Sequence, residues 1–396
     1  MAIKIAYIGN FNNNGFNTVR LLRELGYSAD LLLLTEISHF LPDSDSFSDN
    51  HKEYTKQIDW DNIGWWKISS DKIKKDMADY NFFIGSGWAP AFLSKGGIQL
   101  DIFAPHGGDI FRDPFFKYTY KIPKRSDIGY FFTCKAQRKG IKNSKYLFMD
   151  RCEIYEGAIQ KINIKGKRVF SLVPILNEKL YHSLEAKEYW NNLSKEYIQV
   201  KKLREEFELL IFHQSRHYWK HPNGQVDFAG YKGNDKLIIG FSEFVKKNKS
   251  TKACLVLVEY GPHVQHSKEL IKLLGVTDSV RWLPLMARKD IMGVISMCDL
   301  GAGAFGASSV SYGSAYEFLA MGIPLMHHRT DSLHTNDYPE LYPMFNAYTA
   351  SEICNVLDDL LVNKDNFKKI GTMARVWFKK HGIDIPMSNI INALNG

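Results

Sequence analysis

The sequence predicts an α/β protein of two doubly wound halves, each a parallel sheet covered by helices. Three observations lead there. Short apolar runs alternate with amphipathic helical segments, as βαβ winding requires. The alternation breaks at a charged stretch, Leu184 to Phe207, and restarts at Glu208. The length, 396 residues, is too great for a single hydrophobic core. The expected division is residues 1–190 and 191–370, with a helical tail after that.

In the first half, Lys4 to Gly9 reads as a strand, Gly15 to Gly26 as an amphipathic helix, and Ala29 to Leu34 as a second strand. Asp43 to Gly64 is polar and aromatic-dotted, an excursion rather than a core element. Tyr80 to Ile84, Ile102 to Pro105, Tyr146 to Met149 and Val169 to Pro174 are further strands. In the second half, strands are expected over Glu208 to His213, Ala253 to Glu259 and Val280 to Leu283. Helices are expected over Asn234 to Lys247, Val264 to Leu274 and Arg288 to Met297. The tail, Asn363 to His381 and Ser388 to Leu394, is helical. Two consecutive domains of this kind imply a cleft, with ligands at the carboxyl ends of the strands.

Composition is that of a globular protein, and no apolar run is long enough to span a bilayer. The opening MAIKIAYIGN is a strand pattern, not a signal peptide. The five cysteines lack metal-type spacing, so a reducing cytoplasm is the expected compartment. Charge is concentrated. Arg112 to Lys145 carries ten Lys/Arg against Asp113 and Asp127, an excess that equals the chain's whole net charge of +8. Phe115, Phe116, Tyr118, Tyr120, Tyr130, Phe131 and Phe132 are interleaved with it. Basic and aromatic residues together suit an anionic membrane surface, and the bland alternative is a solvated face with its aromatics turned inward. No recognition helix or base-stacking motif accompanies the charge, so nucleic acid is not expected as a partner.

The stretch DLGAGAFGASSVSYGSAYEFLAMGIPLM, Asp299 to Met326, reads as strand, Gly/Ser loop, helix and strand. A loop free of bulky side chains lets a ligand reach the backbone, and the helix beginning near Gly313 presents free N–H groups suited to phosphate. FHQSRHYW ends a strand with Arg216, and YKGNDKL puts Lys232 and Gly233 just ahead of a helix. An Arg fork and a Lys point charge around one loop are what a diphosphate wants. Leu285 to Arg288, after a Pro-turn, could hold a nucleobase through main-chain groups. PHGGDI puts His106 and Asp109 at a strand's carboxyl end, where they can exchange hydrogen bonds with sugar hydroxyls. The first turn, GNFNNNGFNTVR, offers Asn14 and Gly15 to an acceptor or a phosphate. It lacks G-x-G-x-x-G, and no acidic ribose hook ends the second strand, so a nicotinamide cofactor is not expected.

In order and spacing, KGNDKLIIGFSEFV, LVLVEYG, LIKLLGVTDSVRWLPLMARKDIMGVISMCDLGAGAF and EFLAMGIPLM resemble the GT-B glycosyltransferases of family 4, over about residues 208–330. PHGGDI is similar to the His-Gly segment of their acceptor domain. The resemblance implies two Rossmann-like domains facing across a cleft and a tail, residues 371–396, whose helices return to the first. It implies transfer of a sugar from a nucleotide diphosphate sugar, with retention and without a metal, to a glycan or lipid-linked acceptor in surface polysaccharide or glycoconjugate synthesis. A uridine nucleotide is the first expectation. Arg216 and Lys232 match the basic pair on the diphosphate, Glu317 the ribose-binding second glutamate of E-x₇-E, and His106 the histidine near the reacting centre. Where the first glutamate should stand the chain has Ser309, which leaves the sugar to Ser309, Tyr312, Gly313, Ser314 and backbone amides. A nucleotide-sugar epimerase and a non-catalytic sugar- or nucleotide-binding relative are the alternatives. The expected location is cytoplasmic, peripheral on the inner membrane face if the basic surface docks.

Overall fold

The structure, a computed structural model, describes residues 3–34, 41–60, 65–115, 125–149, 153–220, 230–308, 310, 313–336 and 338–396. The chain forms two compact units, Met1–Asn177 with His381–Gly396, and Glu178–Lys380.

Among the described residues the first unit holds seven strands: β1 (Lys4–Ile8), β2 (Ser28–Leu33), β3 (Thr55–Gln57), β4 (Phe82–Gly85), β5 (Ile102–Phe103), β6 (Tyr146–Met149) and β7 (Lys167–Phe170). They lie in the order β3-β2-β1-β4-β5-β6-β7, and every pair is parallel. The second unit holds β8 (Leu209–His213), β9 (Ala253–Val258), β10 (Val280–Leu283), β11 (Leu300–Ala302), β12 (Leu325–His327) and β13 (Phe345–Asn346). Their order is β10-β9-β8-β11-β12-β13, again all parallel. Both sheets are thus doubly wound. Helices cover both faces of such a sheet, which is why LLIFH and ACLVLV are unbroken apolar runs buried along their whole length.

Each unit has its own core. In the first, Ile8, Leu32, Phe92, Phe103 and Leu147 are buried together; in the second, Ile211, Phe241, Leu255, Phe305 and Leu357. The helix Ile385–Asn395 belongs to the first unit, where it packs on the helix Asn14–Glu24. The chain passes back to that unit within a wide π-type turn, Lys379–Asp384. The charged segment lies within the second unit, where it forms two helices, Leu184–Asn192 and Lys195–Glu206, that pack on the helix Arg288–Ser296.

The polar excursion contains one element not expected from the sequence, β3, which pairs with β2 through Leu31↔Thr55 to Leu33↔Gln57. An edge strand of three residues carries too few apolar positions to show a period. β13 escaped notice for the same reason. β7 starts at Lys167, two residues before the expected Val169.

Close helix packing in the first unit depends on Gly140. A Cβ there would lie 2.1 Å from the Pro90 carbonyl oxygen, whereas a Cβ at Gly157 would meet nothing within 4 Å. Gly140→Ala should therefore lower stability by about 1–3 kcal/mol, and Gly157→Ala should raise it by about 0.5–1 kcal/mol. Thermal unfolding of the two variants beside the wild type checks the opposite signs.

Candidate functional site

In a doubly wound sheet, ligands gather at the carboxyl ends of the strands where the winding reverses. In the second unit that point lies between β8 and β11. β8 runs out into His213, Gln214, Ser215 and Arg216. His213 is fully buried; its Nδ1–H donates to the Ala302 carbonyl of β11 at 2.8 Å, and its Nε2 accepts from the Asn234 amide at 2.8 Å. Burial pushes its pKa down to about 4, so the imidazole is neutral and serves as a fixed two-ended tie. Asn234 is the first residue of the helix Asn234–Lys247, and its side-chain oxygen accepts from Tyr218 N at 3.1 Å. The strand end and the helix start are thereby locked together.

Gly233 precedes that helix in the left-handed region, φ +66°, and a Cβ there would come within 2.9 Å of the Phe305 backbone. Phe305 N–H donates to Lys232 O at 2.8 Å, and Lys236 Nζ donates to Phe305 O at 2.9 Å. The turn carrying Lys232 is thus seated on the loop that follows β11. Arg216 is exposed, with its guanidinium 5.3 Å from the Tyr218 ring. Burial, and next the charge of Arg216, lower the Lys232 ammonium's pKa. Neither cation has an acidic partner among the described residues, so two like charges face each other here and an anion would relieve both.

The helix Gly313–Met321 begins at the same end of the sheet, with Gly313 and Ser314 in its first turn. Ser314 Oγ lies 3.2 Å from Ser215 Oγ, and Gln214 Nε2 donates to Ser314 O at 3.2 Å. Glu317 is 6% exposed and already engaged. Arg288 Nε donates to its Oε1 at 2.9 Å, and Gln214 Nε2 donates to its Oε2. A carboxylate read as a ribose hook therefore also joins β8, the helix Arg288–Ser296 and the helix Gly313–Met321. Leu285 follows β10 and is 54% exposed. Ser309 and Tyr312 lie outside the described residues.

The first unit builds a second polar site at the carboxyl ends of β1, β4 and β5. Asn14 accepts from His106 Nδ1–H at 3.2 Å while its amide donates to Phe11 O and Asn12 O, both at 3.3 Å. The Phe11 ring stacks on the imidazole, centroids 5.4 Å apart. With Nδ1 carrying the proton, Nε2 keeps its lone pair, and no protein group bonds it. Burial lowers the His106 pKa to about 4. Gly15 has no room for a side chain, since a Cβ would lie 2.4 Å from Gly9 O.

Asp109 does not touch the His106 ring. Its Oδ1 accepts from His106 N and its Oδ2 from Gly87 N, both at 2.9 Å, which ties the β4 and β5 loops together. Burial outweighs those bonds and raises its pKa to about 7. Gln137, fully buried, completes the clamp: Ala91 N donates to its oxygen at 3.0 Å, and its amide donates to Gly87 O at 2.7 Å and Asp109 O at 3.2 Å.

Gln214, Asn234 and Gln137 were not singled out in the sequence, and Arg288 entered only as the end of the segment expected to offer main-chain groups to a nucleobase. A glutamine in a strand end and an arginine opening a helix carry no spacing signal; what marks them is burial. Among the described residues no group of three or more His, Cys, Asp or Glu converges as a metal centre would.

No family model matches the chain, and no curated protein sequence does. Solved structures do. HepE from Anabaena, crystallised with UDP-glucose, is 13% identical with a TM-score of 0.63, covering 99% of this chain and 99% of that one. Sucrose-phosphate synthase from Thermosynechococcus elongatus is 12% identical, TM-score 0.56, covering 99% and 98%. A UDP-forming α,α-trehalose-phosphate synthase from Burkholderia xenovorans, in complex with glucose-6-phosphate, is 9% identical, TM-score 0.60, covering 99% and 100%. At these identities the likeness is one of fold, and the fold is GT-B.

Proposed function

We propose that this chain is a glycosyltransferase that moves a sugar from a nucleotide diphosphate sugar to a glycan or lipid-linked acceptor. One observation carries the reading: Arg216 and Lys232, two cations without acidic partners among the described residues, flank a glycine-led helix start where the second sheet reverses its winding. A diphosphate supplies the missing negative charge, and as the glycosidic bond breaks the same cations stabilise the charge on the departing phosphate. That phosphate oxygen takes the proton of the incoming hydroxyl. A uridine nucleotide is the first choice, in keeping with neighbours crystallised with UDP and UDP-glucose. Retention at the anomeric carbon and independence of a metal belong to the same reading.

In the first unit, His106 Nε2 offers a neutral acceptor to a sugar hydroxyl, and Asp109 with Gln137 holds its loop. The basic, aromatic surface faces an anionic membrane in this reading. Ile128, Tyr130, Phe131 and Phe132 of the helix Arg125–Lys142 are exposed rather than turned inward, which supports it; residues 116–124 of that surface lie outside the described ones.

Arg216→Ala and Lys232→Ala should each cut turnover of the true donor by about 10²-fold or more, with a matching loss of nucleoside diphosphate affinity in calorimetry. Wild-type turnover in both variants would overturn the assignment. A product with inverted anomeric configuration by NMR would remove the retaining part alone.

A pH profile tests the Asp109 clamp. Its raised pKa keeps the carboxyl protonated until the pH nears 7, and only the carboxylate accepts both backbone N–H groups at full strength. kcat/KM should therefore rise as pH passes through about 7, and the limb should vanish in Asp109→Asn. His106, neutral above about pH 4, contributes no limb in that range.

A further inference from the structure

The amino-terminal ends of β5, β6 and β7 border a half-open cavity of about 680 Å³ in the first unit. It lies at the opposite end of that sheet from the His106 loop. Pro90, Leu93, Ile98 and Leu100 give it an apolar wall, and Lys139, Lys145 and Lys165 give it three ammonium groups from three different segments. Lys145 is paired with Asp101 at 2.5 Å. Lys139 and Lys165 have no acidic partner among the described residues.

Two helices end at this cavity, Ala89–Gly96 and Arg125–Lys142. Each helix C-terminus carries about half a negative charge, roughly one unit together. Three cations, less Asp101 and less the two helix ends, leave roughly one uncompensated positive charge. That balance suits a singly charged anion better than a dianion, and the apolar wall suits one attached to hydrocarbon.

The helix Arg125–Lys142 links this cavity to an exposed apolar ridge. Ile128, Phe131, Phe132, Lys135 and Lys139 fall within a sector of roughly 100° at helical spacing. The first three are 53%, 38% and 50% exposed. Trp66, 52% exposed, extends the ridge beside Gly129, and Lys67 Nζ stands 5.3 Å over its ring. Lys139 is both the far end of this stripe and part of the cavity lining.

We propose that the cavity binds the phosphodiester headgroup of an anionic lipid while the Trp66, Ile128, Phe131 and Phe132 ridge enters the acyl boundary. The proposal rests on the reading of this surface as membrane-facing. It is independent of the donor chemistry, so its test uses binding alone.

Full-length protein is floated with vesicles of phosphatidylcholine and phosphatidylglycerol in equal parts, and with phosphatidylcholine alone. Binding to the mixed vesicles only is expected. Gln99→Trp narrows the cavity from an exposed lining position without changing charge. It should weaken partition about tenfold, and Lys139→Ala with Lys165→Ala should do so by at least as much. Lys201→Ala with Lys202→Ala, the same charge loss in the second unit, should leave it near wild type. If Gln99→Trp binds as wild type while both lysine pairs weaken equally, only net charge matters and the headgroup site is refuted. Inorganic phosphate and glycerophosphoglycerol are titrated against the Gly97, Gly140 and Gly166 amides by NMR. Saturation by inorganic phosphate without vesicle binding would mark a free-phosphate site and overturn the lipid assignment. Shifts with glycerophosphoglycerol that Gln99→Trp abolishes would support it. Failure here, with UDP binding intact, would leave the transferase reading standing.

Discussion

In the second unit two loops meet backbone to backbone. The turn ending at Gly233 rests on Phe305, with Phe305 N–H on Lys232 O and no space for a side chain at Gly233. Gly306 is equally confined, since a Cβ there would lie 2.3 Å from Tyr231 O. The contact fixes where the Lys232 ammonium stands relative to Arg216 and to the strand end. Its cost is burial of the ammonium and, next, repulsion from Arg216, both of which lower the Lys232 pKa. The diphosphate proposed above would relieve that cost.

Buried charge is treated differently a few residues away. Arg288 and Glu317 are both nearly inaccessible and bonded to each other, with Gln214 on the second carboxylate oxygen. Removing either partner of such a pair leaves an uncompensated buried charge, at about 3–5 kcal/mol. Glu317 is therefore a structural joint of three elements as well as a candidate ligand contact. The first unit follows the same economy with a protonatable group: Asp109 takes two backbone N–H donors and Gln137 ties the same two loops from behind. In both units a residue on a neighbouring element ties the strand-end loop through hydrogen bonds.

The sequence by itself determined the winding. Apolar runs and helical periods are local signals, so the alternation, the helices Asn234–Lys247 and Val264–Leu274, and the small-residue loop ahead of Gly313 could all be read directly. The same signals put Arg216 after a strand and Lys232 just ahead of a helix, which is where they stand. Only the tertiary structure decided what those residues touch. Gln214 reaches Glu317 across 103 residues and Gln137 reaches Gly87 across 50, and no periodicity carries such a pairing. The order of strands in a parallel sheet is likewise set by crossovers, not by anything within a strand. β3 and β13 are too short to show a period and become strands only beside β2 and β12. Local patterns specify elements because their cause lies within one helical turn or one pleat; partners are chosen by topology, which brings together residues the chain keeps far apart.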